Sequence, residues 1–555
     1  VIREGSSIAA GSVLRADVCI VGAGAAGISM ALRLTGHGMS VLVLESGGFE
    51  HDDSTQALYG GRVADAKLHS PPDKYRHRRF GGSTAIWGGR SMPFDPIDFE
   101  ARPYVPDSGW PISFEDVLPF YPDANLLIEA GRFQYDAESA FGPDAPPLID
   151  GFDSPRVRTE GIERFSTPTN FALRYRRRLE LAPDVTVLLG ANCTGIRLAA
   201  DGKTVRRVDV ATLAGNRFSV ECADTVIASG GLEVARILLV SRDVAAAGIG
   251  NAHDNVGRYY MCHIAGNVGT LTVNGPVSRV RHGYEISPDG IYCRRRLSLT
   301  EPEQHRLGVA NMIARLHFAR ITDPAHRNAV LSGLFIARSL LSYEYAKRLQ
   351  DGATQGWGHK LRHLWNIVSG PYDAVSFVTH WIFKRTLAQR KFPSIVLRNR
   401  TNRFSLDVHG EQVPLRESRV TLTDDVDALG MPRIQVDWRY CQLDIDSVAR
   451  TLDVFACEFE RSGVGTFEYE RDRLEDDLTL FGAYGGHHIG TARMGSDVRT
   501  SVVDADCRVH GVEDLFVAGS AVFPTSSQAN PTLTVVALAL RLADHLKSRW
   551  QAVQG

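Results

Sequence analysis

Apolar and polar positions divide the chain into stretches of strand–helix alternation separated by stretches of other patterns. Residues 17–21 form a short apolar run of the kind a fully buried strand needs. Gly22-Ala23-Gly24-Ala25-Ala26-Gly27 follows. A helical pattern then runs to about Thr35, with Ile28, Ala31, Leu32 and Leu34 on its buried side, and Gly36 and Gly38 stop it. Residues 41–44 predict a second buried strand, ending at Glu45. Together these make one β-α-β unit of a doubly wound sheet. Further strands are predicted over 185–189, 205–212, 219–222 and 225–229, the last followed by Gly230-Gly231 and a helix over 232–240. Near the C-terminus a strand over 515–518 precedes a loop and a long apolar helix from about Pro531 to Leu546.

The intervening stretches differ. Residues 47–112 are loop-rich and dense in Gly, Pro, His and Arg. Residues 320–400 are helix-patterned, with Lys360, Arg362, Trp365, Trp381, Lys384 and Arg385 among them, and residues 401–440 alternate as half-buried strands do. The basic aromatic stretch 359–391 reads as a solvated helical hairpin or an oligomer contact, in preference to a membrane-surface or partner face. The expected fold is α/β. A discontinuous Rossmann-like nucleotide domain (1–110, 185–270 and 480–555) carries an inserted α+β substrate domain with an antiparallel sheet (111–184 and 271–479).

Composition narrows the classes. The chain has 555 residues, too many for one ordinary core, and a formal net charge of −2, which gives no bulk pull toward nucleic acid. Its eight cysteines form no Cys-x-x-Cys pair, so neither a disulfide framework nor a zinc site is expected. No apolar run spans a bilayer and no signal peptide is visible in a chain that starts at Val1. The expectation is a cytoplasmic enzyme with small-molecule partners, with a homo-oligomer left open.

Gly22, Gly24 and Gly27 carry the first chemistry. A pyrophosphate needs backbone N–H groups at a helix N-terminus with no side chain in the way. Gly22 serves the tight turn, Gly24 the approach of the phosphates past Ala25 and Ala26, and Gly27 the packing of helix on strand. The acid that should hold the ribose hydroxyls is Glu45, followed by Ser46. A second glycine-rich segment includes Arg79, Gly81, Gly82, Ser83, Ile86, Trp87 and Gly88 and reads as backbone wrapped closely round a flat or anionic ligand. A third runs from His487-His488 through Gly490-Thr491 to Gly495. A fourth holds Gly519 and Ser520, then Asn530-Pro531-Thr532 opening the last helix. Pro531 at the first helical position makes Asn530 a cap candidate. That helix end would also favour negative charge beside it.

These motifs, in this order, resemble the glucose–methanol–choline (GMC) oxidoreductase family. The resemblance spans nearly the whole chain and includes Asp254-Asn255-Val256-Gly257-Arg258. It implies FAD, and oxidation of alcohols by hydride removal to flavin N5. It also implies a catalytic histidine four residues before the Thr of the Gly-Thr pair, which is His487, with His488 as its neighbour. The partner position is Asn530. The His/Asn pair is closest in style to the pyranose-oxidase-like, sugar-oxidising branch. That branch often attaches FAD covalently through a His before the loop Trp. Here Ile86 stands there, which implies non-covalent FAD. By the same resemblance, Thr167, Thr169, Asn170 and Phe171 follow a segment bordering the substrate pocket; an ordinary connecting loop is an equal reading.

The expected reaction is oxidation of a secondary hydroxyl, at C2 or C3 of a pyranose or glycoside, with His487 as base. The acceptor is oxygen, or a quinone or protein if the chain is a dehydrogenase of another alcohol or polyol. Other readings are a lyase that keeps FAD without using its redox chemistry, and a non-catalytic FAD protein, against which the intact His487/Asn530 pair argues.

Overall fold

The computed structural model describes residues 1–318, 324–337, 356–386, 401–483 and 486–554, with isolated positions 321, 322, 388, 390, 393 and 399. Its largest sheet has eight strands drawn from three separate stretches of chain. Five lie in the parallel order Ile2–Glu4, Val185–Leu189, Val41–Leu44, Val13–Val21 and Arg217–Ile227. Leu515–Val517 joins the last of these in parallel, beside an antiparallel pair, Val205–Ala211 and Asn192–Leu198. Val41–Leu44 is buried throughout and Val185–Leu189 nearly so, as their continuous apolar runs require. Helix Ala25–Leu34 covers one side and packs against the C-terminal helix Thr532–Gln554, where Arg33 pairs with Asp544 at 2.7 Å. This is a discontinuous Rossmann-like fold.

The first strand is longer than its apolar run, Val13–Val21 rather than 17–21. The two strands expected over 219–222 and 225–229 are one, Arg217–Ile227. Asp224 does not break it, because the carboxylate reaches Arg549 at 3.2 Å where the strand changes neighbours from Val205–Ala211 to Leu515–Val517. The last helix begins at Thr532, and Pro531 precedes it as the residue whose carbonyl accepts the N–H of Val535.

A second, six-stranded antiparallel sheet has the order Gly465–Glu468, His263–Val273, Arg403–Glu411, Met312–His317, Leu297–Leu299 and Val157–Arg158. A four-stranded antiparallel sheet joins Arg90–Ser91 to Ile162–Phe165, Tyr292–Arg295 and Tyr284–Ile286. The alternation over 401–440 forms strands Arg403–Glu411, Arg419–Val426 and Pro432–Asp437. In the helix-patterned middle, Ala329–Ile336, Trp357–Ser369 and Pro371–Trp381 are helical. Residues 338–355, and 387, 389 and 391 of the basic aromatic stretch, lie outside the described residues. None of the described helices is long and apolar enough to cross a membrane.

Candidate active site

The strand Val13–Val21 delivers the chain to the glycine turn, and Gly22 makes the turn with φ +111°, a conformation that L side chains rarely adopt. A Cβ on Gly27 would fall 1.9 Å from the Gly22 carbonyl oxygen, so the helix lies directly on the turn. Gly24 stands at the helix N-terminus with open space before it. That space is one end of a cavity of about 890 Å³, where Gly22, Gly24, Ala25, Ala26, Glu45 and Ser46 form the wall. Glu45 is buried. Its carboxylate accepts the N–H groups of Ala23 (2.8 Å) and Gly47 (2.9 Å). Burial pushes its pKa up, against those hydrogen bonds.

The second glycine segment folds over the first: the Gly81 N–H donates to the Ala23 carbonyl at 2.8 Å. Arg79, Gly82, Ser83, Ile86, Trp87 and Gly88 face the cavity, while Gly27 and Gly81 stand behind its wall. Trp87 is oriented by its indole N–H, which donates to the Thr169 carbonyl at 2.9 Å. Arg76 and Arg78 also line this region, at 3.5 and 3.0 Å from the buried carboxylate of Glu233. Burial works to raise the Glu233 pKa, but Arg236, Arg78 and Arg76 outweigh it and hold it at about 2. The buried Nε atoms of Arg78 and Arg79 and the Nδ1 of His77 have no hydrogen-bond partner among the described residues. Unpaired donors, a helix N-terminus and bare glycine backbone fit a pyrophosphate, and buried Glu45 fits a ribose. The residues present therefore suit FAD.

The other end of the cavity is built from chain ends remote in sequence. The segment carrying His487 and His488 is fixed on two sides. Ile489 exchanges both backbone hydrogen bonds with Met261 at 3.0 Å, and the Gly490 N–H donates to the Ser520 carbonyl at 3.0 Å. The Ser520 hydroxyl donates to the His488 carbonyl at 2.7 Å. Gly231 is where a third element touches this segment: a Cβ there would lie 2.3 Å from the His488 carbonyl oxygen. Gly519, Ser520, Asn530, Pro531 and Thr532 complete the wall.

His487 and Asn530 thus face one cavity. The buried ring nitrogen of His487 is Nδ1, and Nε2 is left on the cavity side. Burial, then the Arg90 guanidinium, pushes the His487 pKa down to about 3, so the ring is neutral at physiological pH. Asn530 is held by Arg90, whose Nε and Nη2 donate to Oδ1 at 3.1 and 2.8 Å. A guanidinium only donates, so this contact fixes the amide orientation and leaves the NH₂ group as the free donor. Oδ1 is spent on Arg90 and not on capping the last helix. His488 also lines the cavity, but its Nδ1 is engaged: it meets the Tyr260 hydroxyl at 2.6 Å, and the same hydroxyl meets His69 Nε2 at 2.8 Å.

Sequence reasoning did not single out the polar wall around this end. Arg90 lies 3.8 Å from Glu163, Glu163 accepts from Nε and Nη2 of Arg315 at 2.7 Å, and Nη1 of Arg315 donates to Asp407 at 3.0 Å. Tyr284, Arg294 and His317 line the cavity beside Glu163 and Asp407. Arg90 follows directly on the second glycine segment; the others carry no motif. Thr167, Thr169, Asn170 and Phe171 do not line the cavity. Asn170 caps helix Phe171–Leu181, accepting from the Ala172 and Leu173 N–H groups at 3.0 and 3.3 Å, as the connecting-loop reading has it.

Comparison with known proteins agrees with this architecture. A family model described as GMC oxidoreductase matches residues 414–539, and one described as pyridine nucleotide-disulphide oxidoreductase matches residues 16–241. The chain is similar to 2-methyl-1,2-propanediol dehydrogenase of Mycolicibacterium austroafricanum, 24% identical across 97% of this chain and 96% of that protein. Over 131 residues, 23% of this chain and 24% of the relative, it is 42% identical to C-glycoside 3-oxidase of Microbacterium trichothecenolyticum. The crystal structure of pyridoxine 4-oxidase from Mesorbium loti shares the fold. It superposes with a TM-score of 0.54 at 19% identity, covering 95% of this chain and 98% of that one. A Rossmann-like sheet with a glycine turn lies at one end of the cavity and a C-terminal region that matches the GMC oxidoreductase model lies at the other: the chain is an FAD-dependent oxidoreductase similar to the GMC proteins.

Proposed function

We propose that the chain oxidises a secondary hydroxyl of a pyranose sugar or glycoside, at C2 or C3, with His487 as the base. The observation that carries this reading is that His487 Nε2 and the Asn530 amide face the cavity whose far end is the glycine turn and Glu45. The neutral imidazole accepts the hydroxyl proton at Nε2. The Asn530 NH₂, aimed by Arg90, donates to the same oxygen as negative charge develops on it. FAD, when bound, supplies the acceptor for the hydride that leaves the carbinol carbon. The carbinol carbon becomes a carbonyl, and the proton stays on His487.

The polar wall around the His487 end supports the substrate class. Glu163, Asp407, Arg294, Tyr284 and His317 make this part of the lining polar, which suits a ligand with many hydroxyls better than a simple aliphatic alcohol. The similarity to a protein named C-glycoside 3-oxidase supports the same class. With Ile86 in place of a flavin-linking histidine, FAD is held without a covalent bond. The test is anaerobic titration of the FAD-loaded enzyme with pyranoses, glycosides, aliphatic diols and aryl alcohols. Bleaching by the sugars at the lowest concentrations supports the reading, and bleaching by diols alone overturns the substrate class. Similarity to a protein named a dehydrogenase favours a second reading of the acceptor: a quinone or protein in place of oxygen. Stopped-flow reoxidation in air separates the two, being fast for an oxidase and slow for a dehydrogenase.

A further inference from the structure

Three histidines from three elements meet behind the cavity. His263 opens strand His263–Val273, His409 lies in the neighbouring strand Arg403–Glu411, and His487 comes from the C-terminal region. One ring nitrogen of each lies within 4.8 Å of the others. The His263 and His487 ring centroids are 4.9 Å apart with planes at 86°, an edge-on arrangement. His263 and His409 are fully buried, and their rings lie 4.3 Å apart.

The tautomers follow from the backbone. His263 Nδ1 faces the Ser527 carbonyl at 3.1 Å, and His409 Nδ1 faces the Gln528 carbonyl at 2.6 Å. A carbonyl only accepts, so each Nδ1 carries the hydrogen. The Nε2 of His263 therefore holds a lone pair. It is buried without a hydrogen-bond partner among the described residues, and so is Nδ1 of His487. A buried acceptor and a buried nitrogen on neighbouring rings are complementary only if His487 carries its hydrogen on Nδ1.

We propose that His263 is a positioning residue which accepts from His487 Nδ1–H, through one water or after a small turn of the rings, and so keeps His487 Nε2 unprotonated toward the substrate. This rests on the reading of His487 as base. The contact does two things. It selects the tautomer that leaves Nε2 basic. It also strengthens once His487 holds the substrate proton, because a hydrogen bond from an imidazolium exceeds one from a neutral ring. The groups around His487 show why this matters. Burial and Arg90 both oppose the imidazolium, and no carboxylate is among the causes that shift its pKa. Burial, the charge of His487 and Arg90 likewise keep His263 neutral; His409 is kept neutral by burial, His263, Arg90, Arg315 and His487. His488 is bonded to Tyr260, which also contacts Cys262 at 3.4 Å, so neither Tyr260 nor Cys262 is engaged with His487. The lone pair of His263 is the neutral group that relieves the positive charge.

The test is ¹⁵N NMR of the FAD-loaded protein labelled at histidine, with the His487 signals assigned by their loss in His487→Gln. At neutral pH His487 is expected to show a protonated Nδ1 and an unprotonated Nε2. A protonated Nε2 overturns the proposal whatever the variants do. His263→Phe is expected to give a mixed tautomer, flavin reduction about tenfold slower, the worth of one hydrogen bond to a charged group, and an acidic limb moved to lower pH. His263→Gln, which keeps an acceptor, is expected to recover part of each. A purely structural role would slow reduction without moving the limb or the tautomer, and that result also overturns the proposal. If His487→Ala reduces flavin at the wild-type rate, the base reading fails instead, whatever tautomer is found.

Discussion

At the residue scale, the proposed reaction depends on two side chains whose surroundings have been arranged in opposite ways. His487 is left with few hydrogen bonds, so its ring stays neutral and its Nε2 available; Asn530 is pinned by two, so its amide cannot turn. Replacing His487 with Ala is expected to slow flavin reduction by about 10²–10⁴-fold, with the visible flavin spectrum unchanged. Asn530→Ala is expected to cost about 10²-fold or more, because it removes the donor and leaves Arg90 facing the developing charge alone. Rapid-mixing measurement of each variant against wild type reads both. Ile86 predicts a simpler result: acid precipitation should release all the FAD into the supernatant, and flavin fluorescence remaining in the washed pellet would refute it.

At the element scale, three glycine-bearing segments from distant parts of the chain converge, and close backbone contact does the work. Gly231 sits where the start of helix Gly231–Val240 meets the His488 backbone. A methyl at 2.3 Å from that carbonyl has no room, so Gly231→Ala should push the His487 segment away. The expected loss is about 1–3 kcal/mol of stability, together with a fall in turnover larger than the fall in FAD content. Calorimetry and flavin quantification on the same preparation check the pair. These elements were largely legible in the sequence because they are apolar runs ended by glycine: the β-α-β unit, the strand over 515–518 and the alternation over 401–440 all stand close to where the pattern places them. The strand Arg217–Ile227 reads as two in the sequence because the acids Glu221 and Asp224 interrupt its apolar run. Those residues are tolerated at the point where the strand exchanges one neighbour for another. His487 and Asn530 could be named from spacing. Arg90 could not be paired with Asn530, since the contact spans 440 positions. His263 and His409 left no trace, because single histidines on strands look like any other strand residue.

At the scale of the whole molecule, the cavity lies where the parallel sheet, the antiparallel sheets and the C-terminal helix come together, and its walls hold a set of buried neutral histidines. Burial lowers the pKa of His263, His409, His487 and His488. Below about pH 6.5 the unfolded chain takes up protons that the folded chain refuses. Their contribution to stability is therefore complete above that pH and is lost as pH falls toward the depressed folded values, near 3 for His487. Each histidine whose folded form stays neutral contributes a slope of about 1.4 kcal/mol per pH unit in that window. The melting temperature should drop steadily between about pH 6.5 and 4, more shallowly in His263→Phe than in wild type, as differential scanning fluorimetry would show.

The central claim is that the glycine turn and the His487–Asn530 pair form a single oxidation site for sugar hydroxyls. Anaerobic single-turnover mixing with a glycoside, monitored by flavin absorbance in wild type and His487→Ala side by side, tests it most directly. The account predicts complete bleaching in wild type and bleaching slower by about 10²-fold or more in the variant, with equal FAD content in both. Bleaching at the same rate in both proteins, or none in wild type with any glycoside, would contradict it.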